Sequence, residues 1–599
     1  MLRRGGRLLI GLSALVLVGE TGCTGRSPGA GDSAPGEIRF VVDGSRSHPI
    51  SRFIYGLNVR HTDAFGTNDT SATTLNRLGG NRFTAYNWVT NESNCGADCG
   101  DAFPNDLYLS WNLEDPLERG AFVRSAIEGT LAHGTAGLVV TVPIAGYVAA
   151  DHGGSTLPLP VAPDVNTPAV PNAHFKRSQP SNPRGPDPEP DASEPVVYQD
   201  DFVKWIERDY GEATKDPLRP IFFQLDNEPD LWGSTHPQIR GLTRSGEPAL
   251  LGFEELVTRT VDYAAAIKDV IPSARVLSPP IANWFGFWGL GHEKRPAGYD
   301  WYIDYYLDRL REAHETEGRR LVDVLAVHWY PEGLNECRPG ETPCWSDRFT
   351  NDWQPQTPSV IEARLQGPRS LWDPGFTEKS WVSENVPGCW GLACPVQLLP
   401  RLKTSIDEHY PGTGIAVTEY YFGRGGDISG GIAQADVLGV FGREGVTAAA
   451  LWPAAQVYAW NAPDGTCYGD VECSTLAYEC VLAAFAAYLD YDGEGGRFGD
   501  MSISAVTNDV ERTSVYASVD TSNPGRMVMM ALNKTPVEQA VEVAISDAGP
   551  FSRAEVYRVT QAGSGCSAPE REPDVRLAEP DAVRVRLPPM SIGAYVFRP

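Results

Sequence analysis

Between about residue 50 and residue 455 the sequence alternates apolar segments typical of buried strands with longer segments of helical periodicity. Helical patterns occupy 117–134, 197–211, 300–318 and 431–445. The apolar segments are nearly continuous, as expected for strands buried on both faces. Eight strands alternating with helices predict a (β/α)8 TIM barrel, fold class α/β. The predicted strands are 53–59, 81–88, 136–148, 220–227, 274–282, 322–331, 414–423 and 446–453.

The pattern changes after about residue 495, where short segments of alternating polarity are separated by turns. Such segments are typical of antiparallel sheet and predict a C-terminal β-sandwich domain over 496–599, beside a barrel over 53–495. The segment 37–52 holds one further strand, which we expect to join the sandwich. A Pro-rich insert over 158–195 interrupts the barrel. We interpret it as an irregular loop, with a disordered linker as the alternative.

Residues 1–22 have the form of a signal peptide, in which three arginines precede an apolar run at 8–19 that is too short to span a bilayer. Cys23 follows in "ETGC", which resembles a bacterial lipoprotein signal and makes Cys23 a candidate for lipidation. Residues 23–36 are rich in Gly, Pro and Ser and are interpreted as a flexible tether. We therefore expect an exported protein, either an outer-membrane or cell-surface lipoprotein or a secreted one.

The net charge of −27 argues against binding to nucleic acid or to an anionic membrane surface, leaving the lipid anchor as the only expected membrane contact. Ten cysteines besides Cys23 are an even number, which predicts disulfides in an exported chain. A zinc site is disfavoured because there is no CxxC pair and no His at ligand spacing. Although sequence does not fix the connectivity, neighbouring cysteines suggest the pairs Cys95–Cys99, Cys337–Cys344, Cys389–Cys394 and Cys467–Cys473, with Cys480 and Cys566 left to join two regions.

Polar side chains gather at the predicted carboxyl ends of the strands, where the active site of a (β/α)8 barrel lies. Glu228 ends the fourth predicted strand and Glu419 ends the seventh, on roughly opposite sides of the barrel mouth. Two facing carboxyl groups suit cleavage of a glycosidic bond, because one protonates the leaving oxygen while the other attacks the anomeric carbon. Each glutamate alone has a structural alternative: Glu228 could stabilise a helix start, and Glu419 could form an ion pair with an arginine.

Other residues near these strand ends are candidates for binding the substrate. Asn227 could bond a sugar hydroxyl, and His328 and Tyr330 could donate hydrogen bonds to an ionised nucleophile. His328 could equally be a histidine of the core. Aromatic rings can stack on the apolar faces of sugars, and the candidates for this are Trp88, Trp381 and Trp452.

Seven stretches of the sequence resemble glycoside hydrolase family 44, the endoglucanases and xyloglucanases. The resemblance implies a retaining endo-β-1,4-glucanase that cuts internal bonds of β-glucans such as xyloglucan or carboxymethylcellulose. It also implies that Glu228 in "DNEP" is the acid/base and Glu419 in "TEYYFG" the nucleophile, which the residues alone do not distinguish. The stretches are "LNRLGGNRFTAYNW", "VVYQDDFVKW", "QLDNEPDLWGSTHP", "GYDWYIDYYLDRLREAHETEGRRLVDVLAVHWYPE", "RSLWDPGFTEKSWV", "AVTEYYFGRGGDISGGIAQADVLGVFGREGV" and "ALWP".

No cofactor is expected to be required. Some relatives in this family hold a structural calcium ion, for which the sequence shows no ligand motif, so the metal content stays open. The partner is a polysaccharide, and we expect a monomer. Two alternatives remain: a non-catalytic glycan-binding lipoprotein, which has no need of both glutamates, and a hydrolase of another β-glycan such as xylan or mannan.

Overall fold

The fold contains a closed barrel of eight parallel strands, which confirms the predicted class. A computed structural model of the chain describes residues 37–59, 73–132, 137–218, 220–292, 294–333, 348–350, 356–389, 391–452, 479–563 and 565–599. Each barrel strand pairs with its neighbours in sequence, and the eighth closes on the first. We number them β1 Gly56–Val59, β2 Leu75–Leu78, β3 Gly137–Val142, β4 Ile221–Leu225, β5 Arg275–Leu277, β6 Val324–Trp329, β7 Gly414–Tyr420 and β8 Ala448–Leu451.

The barrel interior has an apolar lower layer and a polar upper layer. Residues two apart on a strand face the same side. Leu75 and Phe222 belong to a buried apolar cluster, so Arg77 and Gln224 face the interior one layer closer to the carboxyl ends of the strands. The polar layer therefore lies directly under the barrel mouth. The apolar layer consists of Phe53, Leu75, Val139, Phe222, Leu277, Val324, Ala326, Ala416 and Ala448.

Helices follow most of the barrel strands and bury one face against the barrel. Ile428–Glu444, which follows β7, is buried along most of its length because the C-terminal domain covers its other face. The long helices are Ala121–Ala132, Gln199–Lys215, Phe253–Val270, Tyr302–Glu317, Leu398–His409, Ile428–Glu444 and Glu479–Leu489. Shorter helices are Asn81–Thr84, Trp232–Thr235, Pro237–Arg240, Trp284–Gly289 and Pro358–Gln366, with 3-10 turns at Arg52–Ile54, Gly96–Cys99, Pro229–Leu231, Gly367–Leu371 and Ser383–Asn385.

The second barrel strand was predicted at the wrong place. The strand is Leu75–Leu78, and the predicted segment 81–88 begins instead with the short helix Asn81–Thr84. The strand ends and the chain turns at Gly80, whose φ is +85°. The aromatic residues of 81–88 are buried by packing between loop and helix, whereas the true strand carries buried polar residues and does not show the pattern of an apolar strand.

The Pro-rich insert 158–195 is mostly irregular backbone and contains one strand. This strand, Phe175–Gln179, pairs with Tyr147–Ala149 and Val196–Tyr198 in a three-stranded sheet. A two-stranded ladder, Ser93–Asn94 with Asn105–Asp106, lies in the segment after β2. Both small sheets belong to the long connections that follow β2 and β3.

The C-terminal domain is one hydrogen-bonded sheet that folds back on itself around a core of its own. Tyr595 Oη donates to the carbonyl of Arg586 at 3.0 Å, across the two layers. The first strand, Ile38–Pro49, is antiparallel to Met501–Thr507 and parallel to Gln539–Ser546, so one ladder of this sheet is parallel. The other strands are Thr513–Val519, Met527–Asn533, Arg553–Ala562, Gly565–Cys566, Glu570–Arg576, Ala582–Leu587 and Ser591–Arg598.

The sandwich packs against the barrel through the helix Ile428–Glu444. Asp436 on this helix accepts a hydrogen bond from Tyr516 at 2.6 Å and forms a buried ion pair with Lys534 at 2.7 Å. Apolar residues on the outer face of the sheet, such as Met530 and Ile592, belong to the same core cluster as the barrel helices. The buried ion pair and the buried apolar residues show that the sandwich and the barrel pack closely against each other.

The structure has the disulfides Cys95–Cys99, Cys389–Cys394 and Cys480–Cys566, the last of which joins the helix Glu479–Leu489 to the sandwich. In the part of the chain that is described, no helix is long and apolar enough to cross a membrane. The predicted signal peptide and tether, with Cys23, lie outside the described residues, as do Cys337, Cys344, Cys467 and Cys473.

Candidate active site

Arg77 on β2 is fully buried and lies at the centre of the polar layer. Its Nη1 donates to Glu419 Oε1 at 2.7 Å and to Asn58 Oδ1 at 2.8 Å. Its Nη2 donates to Asn227 Oδ1 at 2.9 Å, and its Nε donates to Gln224 Oε1 at 2.5 Å. A buried guanidinium with a carboxylate and three amide acceptors is well satisfied, and it fixes the ends of β1, β4 and β7 relative to one another.

Glu419 lies near the end of β7, where the strand register shifts. The pairing of β6 with β7 skips a residue, so that His328 lies opposite Glu419 instead of Thr418. Thr418 Oγ1 accepts a bond from the polar layer, from Gln224 Nε2 at 3.1 Å. Such an irregularity changes the direction of a side chain, so the consecutive residues Thr418 and Glu419 both face the barrel interior. Glu419 accepts a second bond, from Tyr330 Oη to its Oε2 at 2.9 Å, so each of its two oxygens has a donor.

Glu228 lies in a strained turn after β4. Its φ is +43°, in the left-handed region, although a proline follows it. The turn is held because the Glu228 N–H donates to the carbonyl of Pro280 at 3.1 Å. Asp226, itself at φ +53°, accepts from the N–H groups of Ile144 at 2.6 Å and Ala145 at 3.1 Å. Strain of this kind persists only where surrounding bonds fix it, and it is typical of functional turns.

The Glu228 carboxyl group makes no helix-capping bond in this turn, so the alternative role at a helix start is wrong. Its side chain is 14% exposed, and its Oε1 lies 2.8 Å from His328 Nδ1. Burial raises the pKa of Glu228 to about 7, with the charge of Asp98 adding to the rise and Arg77 opposing it. A carboxyl with this pKa is half protonated near neutral pH and can act as a general acid.

His328 on β6 is fully buried, and burial lowers its pKa to about 3. It is therefore neutral at working pH. Its Nδ1 faces both carboxyl groups, at 2.8 Å from Glu228 Oε1 and 3.5 Å from Glu419 Oε2, so the Nδ1–H tautomer fits the site. His328 was expected to donate to the nucleophile, and its Nδ1 does lie within 3.5 Å of Glu419, but Glu228 is the nearer partner.

The two glutamates are close to each other. One oxygen of Glu228, one oxygen of Glu419 and the His328 ring nitrogen lie within 4.8 Å of one another. Among the described residues this is the one such grouping of three metal-binding side chains. It fits a divalent cation poorly, since Arg77 already neutralises Glu419 and Glu228 retains a proton up to about pH 7.

The structure separates the six predicted substrate-binding residues into two groups. Asn227 and His328 are 1% and 0% exposed and bond to protein groups, so they hold the site together and present no free surface to a ligand. Tyr330 is half-buried and donates to Glu419. Trp381 and Trp452 are half-buried at the barrel mouth: the Trp381 indole N–H donates to Glu332 at 3.2 Å, and the Trp452 ring lies against the backbone of Gly80.

The prediction for Trp88 is wrong. Trp88 is 1% exposed and packs between Phe202 and Trp205, with ring centroids 5.4 and 6.0 Å away. Its indole N–H donates to the carbonyl of Tyr198 at 3.3 Å. The residue follows the short helix after β2 and not a strand end, so it belongs to the core between the loop and the helix Gln199–Lys215.

Sequence reasoning missed Arg77 and Asn58. The signal for Arg77 was a charged residue inside the short apolar segment "LNRLGG", at a position that alternation places inside the barrel. Asn58 donates from Nδ2 to the carbonyl of Thr418 at 2.9 Å and accepts from Arg77. The structural alternative for Glu419, an ion pair with an arginine, is also present, and it leaves the second carboxylate oxygen beside Tyr330 and His328.

A closed (β/α)8 barrel with two glutamates at its mouth, one proton-bearing near neutrality and one ion-paired, has the arrangement of a glycoside hydrolase. Comparisons with known proteins identify its family. The family model of glycoside hydrolase family 44 matches residues 78–333. Endoglucanase A of Paenibacillus lautus is 33% identical over 555 residues, which cover 90% of this chain and 69% of that protein. The chain belongs to glycoside hydrolase family 44.

Further relatives agree with this membership. The beta-mannanase/endoglucanase A of Caldicellulosiruptor saccharolyticus is 33% identical over 544 residues, which cover 87% of this chain but only 36% of that protein. A family 44 xyloglucanase of Paenibacillus polymyxa, solved with xyloglucan, superposes with a TM-score of 0.78 at 31% identity, covering 94% of this chain and all of that one. The family 44 endoglucanase of Clostridium thermocellum gives a TM-score of 0.78 at 30% identity, covering 94% and 99%.

Proposed function

We propose that this glycoside hydrolase is a retaining endo-β-1,4-glucanase that cuts internal bonds of β-glucans such as xyloglucan or carboxymethylcellulose. The observation that carries the proposal is the unequal environment of two adjacent glutamates. Glu228 is protonated up to about pH 7, while Glu419 is bound by Arg77 and Tyr330. The choice of glucan rests on the relatives, which are named as endoglucanases and a xyloglucanase.

In the first step, the protonated Glu228 gives its proton to the glycosidic oxygen as the bond from that oxygen to the anomeric carbon breaks. A carboxylate oxygen of Glu419 attacks the same carbon and forms a covalent glycosyl-enzyme, and the leaving chain departs with a new hydroxyl group. Arg77 remains on the other carboxylate oxygen of Glu419 and keeps that side chain in place.

In the second step, the ionised Glu228 takes a proton from water while the water oxygen attacks the anomeric carbon. The bond to Glu419 breaks, and the two inversions together retain the β configuration. The neutral His328 donates its Nδ1–H to Glu228 and stabilises the carboxylate in this step. Its low pKa prevents it from protonating the glutamate instead.

The separation of the carboxyl groups favours retention over inversion. Retaining enzymes hold the two groups about 5 to 5.5 Å apart, whereas inverting enzymes leave about 6.5 to 9.5 Å for a water molecule. Here one oxygen of each glutamate lies within 4.8 Å of the other, which is nearer to the retaining separation than to the inverting one. The stereochemistry can be read directly by proton NMR of the first product, which we expect to be the β anomer.

We also propose that Trp381 and Trp452 form stacking surfaces for glucosyl units, since both lie half-buried at the mouth. The two glutamates suffice for the chemistry without a cofactor. From the sequence we retain the proposals of domains at 53–495 and 496–599 with the strand of 37–52 in the sandwich, and of a monomer. We also retain the proposals that the protein is exported, that residues 1–22 are removed and that Cys23 is lipidated. Mass spectrometry of the mature protein would test them.

The test is reducing-sugar release from xyloglucan, carboxymethylcellulose, xylan and mannan by the wild type and by Glu419→Gln. We expect activity on the β-glucans that falls at least about a thousandfold in the variant, or roughly 4 kcal/mol of transition-state stabilisation. Glu247→Gln, at an exposed loop position, is the matched control and should keep full activity. Activity mainly on xylan or mannan would name a different substrate, and binding without any hydrolysis would favour a glycan-binding protein.

A further inference from the structure

The turn closed by the disulfide Cys95–Cys99 packs against the chain that continues from Glu228. Gly96, at φ +60° in this turn, comes so close that a Cβ there would lie 2.1 Å from the carbonyl oxygen of Thr235. That segment is in turn fixed to the catalytic loop, because the Trp232 indole N–H donates to the carbonyl of Asn227 at 3.0 Å. The disulfide turn therefore forms part of the support of the Glu228 loop.

A second connection runs through side chains. Asp98, an exposed residue of the same turn, accepts a hydrogen bond on Oδ2 from Asn81 Nδ2 at 3.0 Å. Asn81 Oδ1 accepts from Asn227 Nδ2 at 3.3 Å, and Asn227 Oδ1 accepts from Arg77 at 2.9 Å. A continuous series of bonds thus leads from an exposed carboxylate to the guanidinium that holds Glu419.

The charge of Asp98 acts on Glu228 within a group of other ionisable residues. Arg77 approaches from β2 and is paired with Glu419 on β7, while His328 on β6 is neutral. Asp98 raises the pKa of Glu228, and Arg77 lowers it. Other ionisable groups nearby are Asp226 and Asp230 of the Glu228 loop, and Arg82, whose Nη2 lies 3.4 Å from Cys99 Sγ and which forms an ion pair with Asp106. His236 lies beside the disulfide turn, and burial lowers its pKa to about 4.

We infer that Asp98, held in place by the Cys95–Cys99 turn, is a positioning residue of this active site. Its negative charge favours the protonated form of Glu228, and its bond to Asn81 fixes Asn227 and through it Arg77. The inference rests on the proposed role of Glu228 as the acid/base. It gives a catalytic purpose to a disulfide that closes only a short turn and could otherwise contribute little to the fold.

Asp98→Asn tests the charge, because asparagine keeps an oxygen that can accept the bond from Asn81. We expect the alkaline limb of the pH profile of kcat/KM to move to lower pH by about half a unit, the size of an interaction with an exposed charge. Raising salt to 1 M should move the wild-type limb in the same direction, because the screening length then falls to about 3 Å. The variant should respond less to salt. Asp101→Asn, an exposed position just beyond the turn, is the charge-matched control.

Asp98→Ala removes the hydrogen bond as well, so we expect it to raise KM or lower kcat beyond Asp98→Asn at the pH optimum of each. Cys95→Ser with Cys99→Ser should shift the limb as Asp98→Asn does; Asp98→Asn decides the matter if that double variant does not fold. An alkaline limb unchanged in Asp98→Asn overturns the inference. Glu228→Gln in the same assay separates the two proposals: if it keeps the alkaline limb, the assigned role of Glu228 has failed instead.

Discussion

Ionisation of the buried Glu228 carboxyl group carries a cost in stability that a single substitution should remove. A pKa raised from 4.5 to about 7 means that the folded protein binds a proton more tightly than the unfolded chain between these two pH values. Stability therefore falls as pH rises from about 4.5 to 7 and stays low above it. The difference corresponds to about 3 kcal/mol at most.

Glu228→Gln keeps the shape of the side chain and an oxygen that can accept from His328 Nδ1, but it cannot ionise. We expect the variant to match the wild type in free energy of unfolding at pH 4 and to exceed it by about 2 to 3 kcal/mol at pH 8. Asp230 adds to this gain with the same sign, because burial raises the pKa of Asp230 to about 8 and the charge of Glu228 adds to that rise. Many enzymes give up stability in this way for a functional group.

Denaturant unfolding of the wild type, Glu228→Gln and the exposed control Glu247→Gln at pH 4, 6 and 8 measures the effect. Each variant is compared with the wild type at the same pH, which cancels the contributions of titrating groups that do not interact with Glu228. A stability difference between Glu228→Gln and the wild type that is the same at all three pH values would refute the reasoning. It would mean that the Glu228 carboxyl group is not held protonated by burial.

Three further predictions concern groups around the site and the domain contact. Arg77→Met leaves Glu419 buried without its cation and should lower stability by about 3 to 5 kcal/mol and activity at least a thousandfold, seen together in melting curves and kcat/KM; a variant with near wild-type activity would contradict this. Tyr330→Phe removes one donor from Glu419 and should lower kcat about 10- to 100-fold with KM little changed, as checked by steady-state kinetics on a soluble glucan. Lys534→Met should destabilise the protein by about 3 to 5 kcal/mol, and Asp436→Asn in the same chain should restore much of the loss in thermal unfolding; additive losses would argue against a coupled ion pair.

The barrel and the glutamate pair were predictable because both follow from strong local patterns. Strands such as β4 and β7 are mostly apolar and almost fully buried, and the polar residues near their carboxyl ends stand out from that pattern. The strand β2 was misplaced because it is four residues long and contains Asn76 and Arg77, which lower its resemblance to a buried strand. The segment 81–88 has the aromatic residues of a strand because its side chains are buried by tertiary packing. The sequence does not reveal that packing.

The roles of individual side chains were harder to predict because they depend on which strands become neighbours. The sequence places His328 at a strand end near the barrel mouth, but only the structure shows that its Nδ1 lies nearer to Glu228 than to Glu419. Arg77 can reach Glu419 only because the closed barrel brings the ends of β2 and β7 together. Trp88 looked like a surface for sugars, and its burial depends on the helix Gln199–Lys215, more than a hundred residues further along the chain.

The difference between the two glutamates arises from the alternation of residues along the barrel strands. Because Leu75 and Arg77 share one face of β2, the strand that seals the barrel floor also delivers a cation to Glu419. Because Ala326 and His328 share one face of β6, that strand delivers a neutral ring to Glu228. The barrel thus gives one carboxyl group a full positive charge and the other a neutral donor in an apolar setting. Under the roles proposed above, exchanging these two environments would exchange the acid and the nucleophile, so the proposed roles depend on β2 and β6 as much as on the glutamates themselves.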